Sequence, residues 1–426
     1  MNMIDKELLD YWVVVPFNEE QVIFFNTFSK EQLLIKLEKK IETVDQKIFT
    51  LKELMEKDEI NKLNCIVDRN ATVDFIQWAD DINRTRELNI TVILGYNCNL
   101  SCSYCYEREE SHKITIGLGD EDNQFENQFV EFVENYISEN NIAYVNLEFY
   151  GGEPFMYFPK MYYISNTLKQ FLVDKDIELY IGIMTNGTLV NKRNIDKLKN
   201  LGLYKVEISL DGAKDMHNIR RPLKNCGDAY GTTIMNIADI NKIVPVVVRV
   251  NVDQQNIDSV KKMLVDLKSI GIHEDISIYF TPVISCNSCC EVEEDLNLIK
   301  GIGKLYEFAG KNGYKLAVKY YAIGPCHIYK KNSFGITPEG DIYKCFPMLN
   351  TKFGNINLPS DLPSEDLQIL KKLNNKCLDC EYLPICFGGC QYANKSEEID
   401  MSCPIEVFKS ILPYILKGNT FQQVKL

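Results

Sequence analysis

The chain has 426 residues, 45% of them hydrophobic and 25% charged, which is more than one compact core usually holds, so two or three domains are expected. A net charge of −13 at pH 7 speaks against a nucleic-acid partner, because phosphate binding needs a dominant basic face. The first residues, MNMIDKELLDYW, lack the pattern of an export signal, and no apolar run is long enough to span a bilayer. The expectation is a cytoplasmic protein with no membrane partner, in which 15 cysteines point to metal or cluster binding rather than to disulfides.

In chain order, residues 1–85 open with the apolar runs YWVVVPF (11–17) and QVIFF (21–25), joined by Asn18, Glu19 and Glu20, which predict a β-hairpin. Ser29 then precedes KEQLLIKLEKKIE, and KIFTLKELMEKDEINKL follows; both have helical spacing. The segment resembles a small winged-helix-like α+β domain. Residues 1–80 hold 16 acidic and 10 basic side chains, which disfavours DNA. Addition of an extended peptide to the hairpin as an extra strand suits it better, with plain packing or dimerisation as the alternative.

Residues 86–310 alternate strands with helices, the signature of an α/β domain with a parallel sheet. The predicted strands are 90–96, 144–150, 179–185, 205–210, 244–252 and 275–283. The stretches NKRNIDKLKNLG and NIDSVKKMLVDLKSIG read as helices that each stop at a glycine able to take the left-handed conformation. Six βα units make a partial (β/α)6 TIM-like barrel, in which chemistry gathers where strands end.

The residues after the first strand, GYNCNLSCSYCYE, place Cys98, Cys102 and Cys105 in C-x3-C-x2-C spacing. Three thiolates on one loop can bind three irons of a four-iron cluster and leave the fourth open. Buried cysteines or an incomplete zinc site are the bland alternatives. Only four histidines are present, with no His-Glu-x-x-His pair, so zinc hydrolysis has little support. The loop resembles the C-x3-C-x-aromatic-C motif of radical SAM enzymes, with Tyr104 in the position that lies beside the cofactor's adenine in that family.

Other strand ends extend the resemblance. Gly151, Gly152 and Glu153, followed by Pro154, match the segment that holds the amino group of the methionine moiety in the family, although on their own they also read as an ordinary turn. Thr185-Asn186-Gly187, and Ser209-Leu210-Asp211-Gly212 with His217 and Arg220-Arg221-Pro222, resemble segments that meet ribose and methionine. Ser209 is the expected ribose contact. For Asn186, Arg220 and Asn251 a turn or structural hydrogen bond weighs equally with cofactor contact. The resemblance implies that a reduced cluster cleaves S-adenosylmethionine (SAM) to a 5′-deoxyadenosyl radical that takes a hydrogen atom from substrate. It also implies an electron donor such as flavodoxin or ferredoxin.

In residues 311–426, Cys326, Gly340 and Cys345 give C-x13-G-x4-C, with the glycine at the turn of a predicted hairpin. Cys377, Cys380, Cys386 and Cys390 give C-x2-C-x5-C-x3-C, and Cys403 follows. A zinc ribbon is the alternative on spacing alone. The seven-cysteine order resembles the SPASM extension of radical SAM peptide-modifying enzymes, which implies three four-iron clusters in all. By that resemblance Cys326, Cys345 and Cys390 serve one auxiliary cluster, and Cys377, Cys380, Cys386 and Cys403 serve the other. The first is one ligand short, since VKYYAIGP before Cys326 holds no cysteine. Its open iron is suited to a substrate thiolate, with Cys286, Cys289 or Cys290 as rival ligands. Cys65 and Cys226 stand apart as packed or partly exposed thiols.

The resemblance therefore implies maturation of a ribosomally made precursor peptide carrying a leader, with a cysteine thioether as the specific expectation. Formylglycine formation in sulfatases is the first rival. Phe346 speaks against it, because it follows Cys345 where those enzymes carry an acidic residue. Carbon–carbon crosslinking is a further alternative, and a non-catalytic iron–sulfur or zinc protein is the reading from another class.

Overall fold

The computed structural model describes residues 12–18, 20–27, 29–36, 86–105, 107, 123–283, 292–317, 326–345, 352–358, 377, 380–389 and 403–423. The chain divides into two compact units. One comprises Met1–Asn83, Cys290–Tyr329 and Leu367–Leu426, and the other, the core unit, Arg84–Cys289 and Lys330–Asp366. The segments therefore interleave along the sequence.

The expected hairpin is present as β1 (Trp12–Pro16) and β2 (Gln21–Asn26), paired antiparallel. The helix expected after Ser29 is not. Gln32–Lys36 is a strand, β3, antiparallel to β2 with Leu33 opposite Phe24 and Ile35 opposite Val22. Val22, Ile23 and Phe24 are fully buried, and strand pairing beside them outweighs a helical spacing that was only a weak local preference. The helical expectation beyond residue 36, and Cys65 with it, lie outside the described residues.

All six strands expected in the core unit form. They are β4 (Glu87–Ile93), β5 (Tyr144–Tyr150), β6 (Glu178–Thr185), β7 (Leu203–Ser209), β8 (Val246–Val252) and β9 (Ile276–Pro282), each parallel to the next. Sequential order is what a βα barrel uses. Between them run α1 (Gln124–Glu139), α2 (Phe158–Val173), α3 (Lys192–Lys199), α4 (Lys214–Arg220), α5 (Ala229–Ile240) and α6 (Ile257–Ser269). Period-two alternation buries Val145, Leu147 and Phe149 of β5 completely, alongside Ile181, Ile183, Val206, Ile208, Val248 and Val250. The opposite, less buried face is polar: Glu148 pairs with Lys205, Tyr279 donates to Glu207 at 2.5 Å and Arg249 donates to Asn251 at 3.1 Å. Gly271, after α6, takes φ +80° as its sequence position requires.

After β9, α7 (Val292–Lys311) and the short β10 (Lys315–Leu316) belong to the first unit. The predicted C-terminal hairpin is β11 (Ser333–Ile336) and β12 (Asp341–Tyr343), with Gly340 at φ +79° in its turn. β11 lies parallel to β4 and so widens the core sheet, and β13 (Gly354–Asn355) pairs with β12. The first unit closes with α8 (Leu383–Cys386) and α9 (Ile405–Gln423). α7 and α9 pack through glycines: a Cβ on Gly310 would sit 2.3 Å from the Gly418 carbonyl oxygen. Among the described residues no helix is long and apolar enough to cross a membrane.

Candidate active site

The loop carrying Cys98, Cys102 and Cys105 leaves the C-terminal end of β4 and is fastened by backbone hydrogen bonds on two sides. Glu153 N–H donates to the Asn97 carbonyl at 2.9 Å, while Ser101 N–H and Ser103 N–H donate to the carbonyls of Pro222 (2.9 Å) and Arg220 (3.1 Å). Two glycines make the first junction possible. Gly151 and Gly152 have φ of +85° and +44°, and a Cβ on Gly152 would lie 2.2 Å from the Asn97 carbonyl oxygen. Burial raises the thiol pKa of Cys98 to about 11, and burial likewise raises those of Cys102, where Arg221 opposes it, and of Cys105, where Glu107 adds to it. A bound metal would oppose that rise, because thiolate is the ligand form.

Glu153 is fully buried and already accepts three hydrogen bonds, from Phe155 N–H (3.0 Å), Thr185 Oγ1 (2.7 Å) and Asn186 N–H (2.8 Å). Asn186 likewise spends its side chain on structure: Nδ2 donates to Asn99 at 2.8 Å and lies 3.7 Å from Cys98 Sγ, while Oδ1 accepts from Thr188. Of the two readings weighed for Asn186, the observed bonds are those of the structural one. Ser209 ends β7 half-buried, in register with Arg249 of β8.

Tyr104 lies in a charged cluster. Its hydroxyl donates to Asp211 and accepts from Arg221 Nη1 at 2.6 Å and Asn251 Nδ2 at 3.2 Å, and the Arg220 guanidinium sits 5.0 Å above its ring. Arg220 also donates to Asp253 at 2.5 Å. Asp211 is fully buried, and Asn256 holds its carbonyl and that of Asn251, each at 2.9 Å. The buried His217 ring accepts the Asp211 N–H on Nδ1 at 3.2 Å, and burial lowers its pKa to about 4. Sequence reasoning placed Asp211 and Arg221 only within segments that resemble cofactor-contacting ones, and it missed Asn256 and Glu107. The adjacent arginines and the aspartate directly after a strand were the available signals. Nothing local marked Glu107, whose Oε2 accepts from Gly152 N–H at 2.8 Å and whose pKa burial raises to about 7.

Five buried polar atoms here have no hydrogen-bond partner among the described residues: Glu107 Oε1, His217 Nε2, Arg220 Nε and Nη2, and Arg221 Nε. Each such group costs about 1–3 kcal/mol when left unmade. The donor set fits a zwitterionic amino-acid moiety, with a carboxylate for the guanidinium N–H groups and an ammonium for Glu107.

Residues 92–267 match the radical SAM superfamily. The chain carries a radical SAM domain. It is 21% identical to a cysteine-type anaerobic sulfatase-maturating enzyme of Clostridium perfringens over 74% of this chain and 93% of that one. It is 23% identical to the sporulation killing factor maturation protein SkfB of Bacillus subtilis over 43% of this chain and 40% of that one. A solved structure, native anSMEcpe with bound AdoMet, aligns with TM-score 0.61 at 20% identity, covering 79% of this chain and all of that one. The likeness shows the shared fold.

In the first unit, outside the radical SAM domain, the thiols of Cys377, Cys380, Cys386 and Cys403 come close enough to feel one another's charge. Burial raises Cys380, and Cys403 and Cys377 add to it; burial raises Cys386 to about 12, with Cys403 and Cys380 contributing. Among the described residues no three His, Cys, Asp or Glu side chains close tightly enough to hold a single metal ion. A four-iron cluster asks for something else, thiolates spread around a cage with one to each iron. Cys326 is exposed in this unit, and Cys345 is half-buried after β12 in the core unit. Cys390, Cys286, Cys289, Cys290 and Phe346 lie outside the described residues. Cys226 is exposed and unbridged.

Proposed function

We propose that this radical SAM enzyme matures a ribosomally made precursor peptide by joining a cysteine sulfur to a carbon of the same peptide. The observation that carries the peptide-maturase reading is the gathering of Cys377, Cys380, Cys386 and Cys403, a set of thiols suited to a fully ligated auxiliary cluster. Cys326, Cys345 and Cys390 are proposed for a second auxiliary cluster with one iron left for the substrate thiolate. When bound, SAM and the cluster on Cys98, Cys102 and Cys105 supply a hydrogen-abstracting 5′-deoxyadenosyl radical.

The chain's own residues then have defined tasks. Arg220 and Arg221 offer their unpartnered N–H groups to the SAM carboxylate, and Glu107 with the Gly151-Gly152-Glu153 segment receives the ammonium. Tyr104, Ser209 and Asn251 flank the nucleoside. Burial of this cluster excludes water from around the reacting groups. The polar face with Glu148, Lys205, Glu207 and Arg249 offers hydrogen bonds to a peptide, and the β1–β3 sheet a strand-pairing edge to its leader.

A second reading, oxidation of a sulfatase cysteine or serine, is favoured by the curated relatives of sulfatase-maturating type. Phe346 after Cys345 stands against it. Mass spectrometry after anaerobic incubation of the reconstituted enzyme with reductant, SAM and a cysteine-containing precursor peptide separates the two. Loss of two hydrogens per cysteine, with those cysteines refusing alkylation, is the expected result. Conversion of a sulfatase peptide's cysteine to an aldehyde, with the precursor peptide unchanged, would transfer the assignment to the second reading.

A further inference from the structure

The β2–β3 turn of the N-terminal sheet reaches into the cysteine-rich segment. Thr27 is fully buried, and its hydroxyl donates to the Glu381 carbonyl at 2.5 Å. Lys30 Nζ donates to the Thr27 carbonyl and to that of Pro384 at 3.4 Å. Glu381 and Pro384 lie on the short bridge between Cys380 and Cys386, so two of its carbonyls are tied down by side chains distant in sequence. Two further contacts fix the sheet to α9: Gln32 Nε2 donates to the Leu416 carbonyl at 2.9 Å and to Thr420 Oγ1 at 2.6 Å. Within the turn Ser29 N–H donates to Asn26 Oδ1 at 2.8 Å and Lys30 N–H to the Asn26 carbonyl at 2.9 Å.

Lys30 has φ +67°, a left-handed conformation that glycine adopts freely and a side chain only under strain. A lysine at such a position points to a use for its side-chain donors. Partners one shell out from metal ligands fix the direction of those ligands and tune the metal they hold.

We propose that Thr27 and Lys30 are positioning residues for an iron–sulfur cluster on Cys377, Cys380, Cys386 and Cys403. They hold the ligand-bearing bridge in place and set how firmly the cluster is retained and at what potential it is reduced. The inference rests on the auxiliary-cluster reading above. It makes the N-terminal sheet part of the cluster's support as well as a candidate peptide-binding element. Loss of the Lys30 donors leaves the Pro384 carbonyl dipole uncompensated beside the thiolates, so the cluster becomes harder to reduce.

The test uses the full reconstituted chain. Anaerobic iron release to a chelator and an EPR-monitored redox titration are measured for wild type, Lys30→Gly, Lys30→Arg and Thr27→Val, with Cys380→Ala/Cys386→Ala marking the signal of this cluster. Glycine suits the left-handed turn and valine keeps the buried volume, so neither change asks the fold to rearrange. Iron release about ten-fold faster or more and a lower potential in Lys30→Gly and Thr27→Val, both restored in Lys30→Arg, is the expected result. A cluster lost in the double cysteine variant but unchanged in release and potential in Lys30→Gly and Thr27→Val overturns the proposal alone. Equal iron content in wild type and the double cysteine variant overturns the cluster reading and the proposal together.

Discussion

The two cysteine assemblies are held by different means. Cys98, Cys102 and Cys105 share one loop, so their mutual spacing is local, and backbone hydrogen bonds with Glu153, Arg220 and Pro222 fix where that loop sits. Cys377, Cys380, Cys386 and Cys403 span 377–403, and the bridge between two of them is held by Thr27 and Lys30 from the other end of the chain. Ligands close in sequence need the fold only to place their loop. Ligands far apart depend on packing, and so on whatever supplies it.

Cysteine substitutions sharpen that contrast most. Cys98→Ala, Cys102→Ala and Cys105→Ala together are expected to bring 5′-deoxyadenosine production down to the level of protein-free controls. Cys380→Ala with Cys386→Ala is expected to leave SAM cleavage in place while peptide modification is lost. Chromatography of 5′-deoxyadenosine and mass spectrometry of the peptide, run on the same samples, check both; equal loss of cleavage in the two variants would break the comparison.

Next in size is Arg221→Ala. It removes a guanidinium 3.8 Å from the buried Asp211 carboxylate and 2.6 Å from the Tyr104 hydroxyl, and leaving a buried charge short of a partner costs about 3 kcal/mol. The urea midpoint is expected to fall accordingly, and calorimetry should show weaker SAM binding. Gly152→Ala is expected to cost about 2 kcal/mol, from a left-handed backbone and a Cβ forced onto the Asn97 carbonyl. Its thermal midpoint and SAM cleavage rate are predicted to fall together, because the same clash displaces the cysteine loop.

The last effect is one of pH and is spread over its whole range. The His217 pKa is lowered by burial to about 4 from an ordinary value of 6.5, so between those values the unfolded chain binds a proton that the folded chain refuses. Stability is therefore full above pH 6.5 and falls by about 1 kcal/mol for each pH unit down to about 4. Urea titrations across that range should show a steeper acid loss for wild type than for His217→Gln.

Much of the core unit was legible in the sequence. The six strands were found because apolar alternation is a local signal, and α3 and α6 because their periodicity ends at Gly202 and Gly271, both with positive φ. β3 was misread because QLLIK carries a helical spacing, and the open edge of β2 that captures it cannot be seen in any window of the chain. Arg221 and Asp211 were visible as residues but not as a pair, since burial is what gives their charges consequence.

By itself the sequence determined the cysteine spacings, the positions of the six strands along the chain and the glycines that admit the Glu153 segment, all of which are read from neighbours within a few residues. The tertiary structure alone decided that β11 would pair with β4, that Glu107 would reach Gly152, and that Lys30 would be bonded to the bridge between Cys380 and Cys386. Those contacts join positions far apart in the chain, and their energy exists only once packing has brought the partners together and taken water away from them.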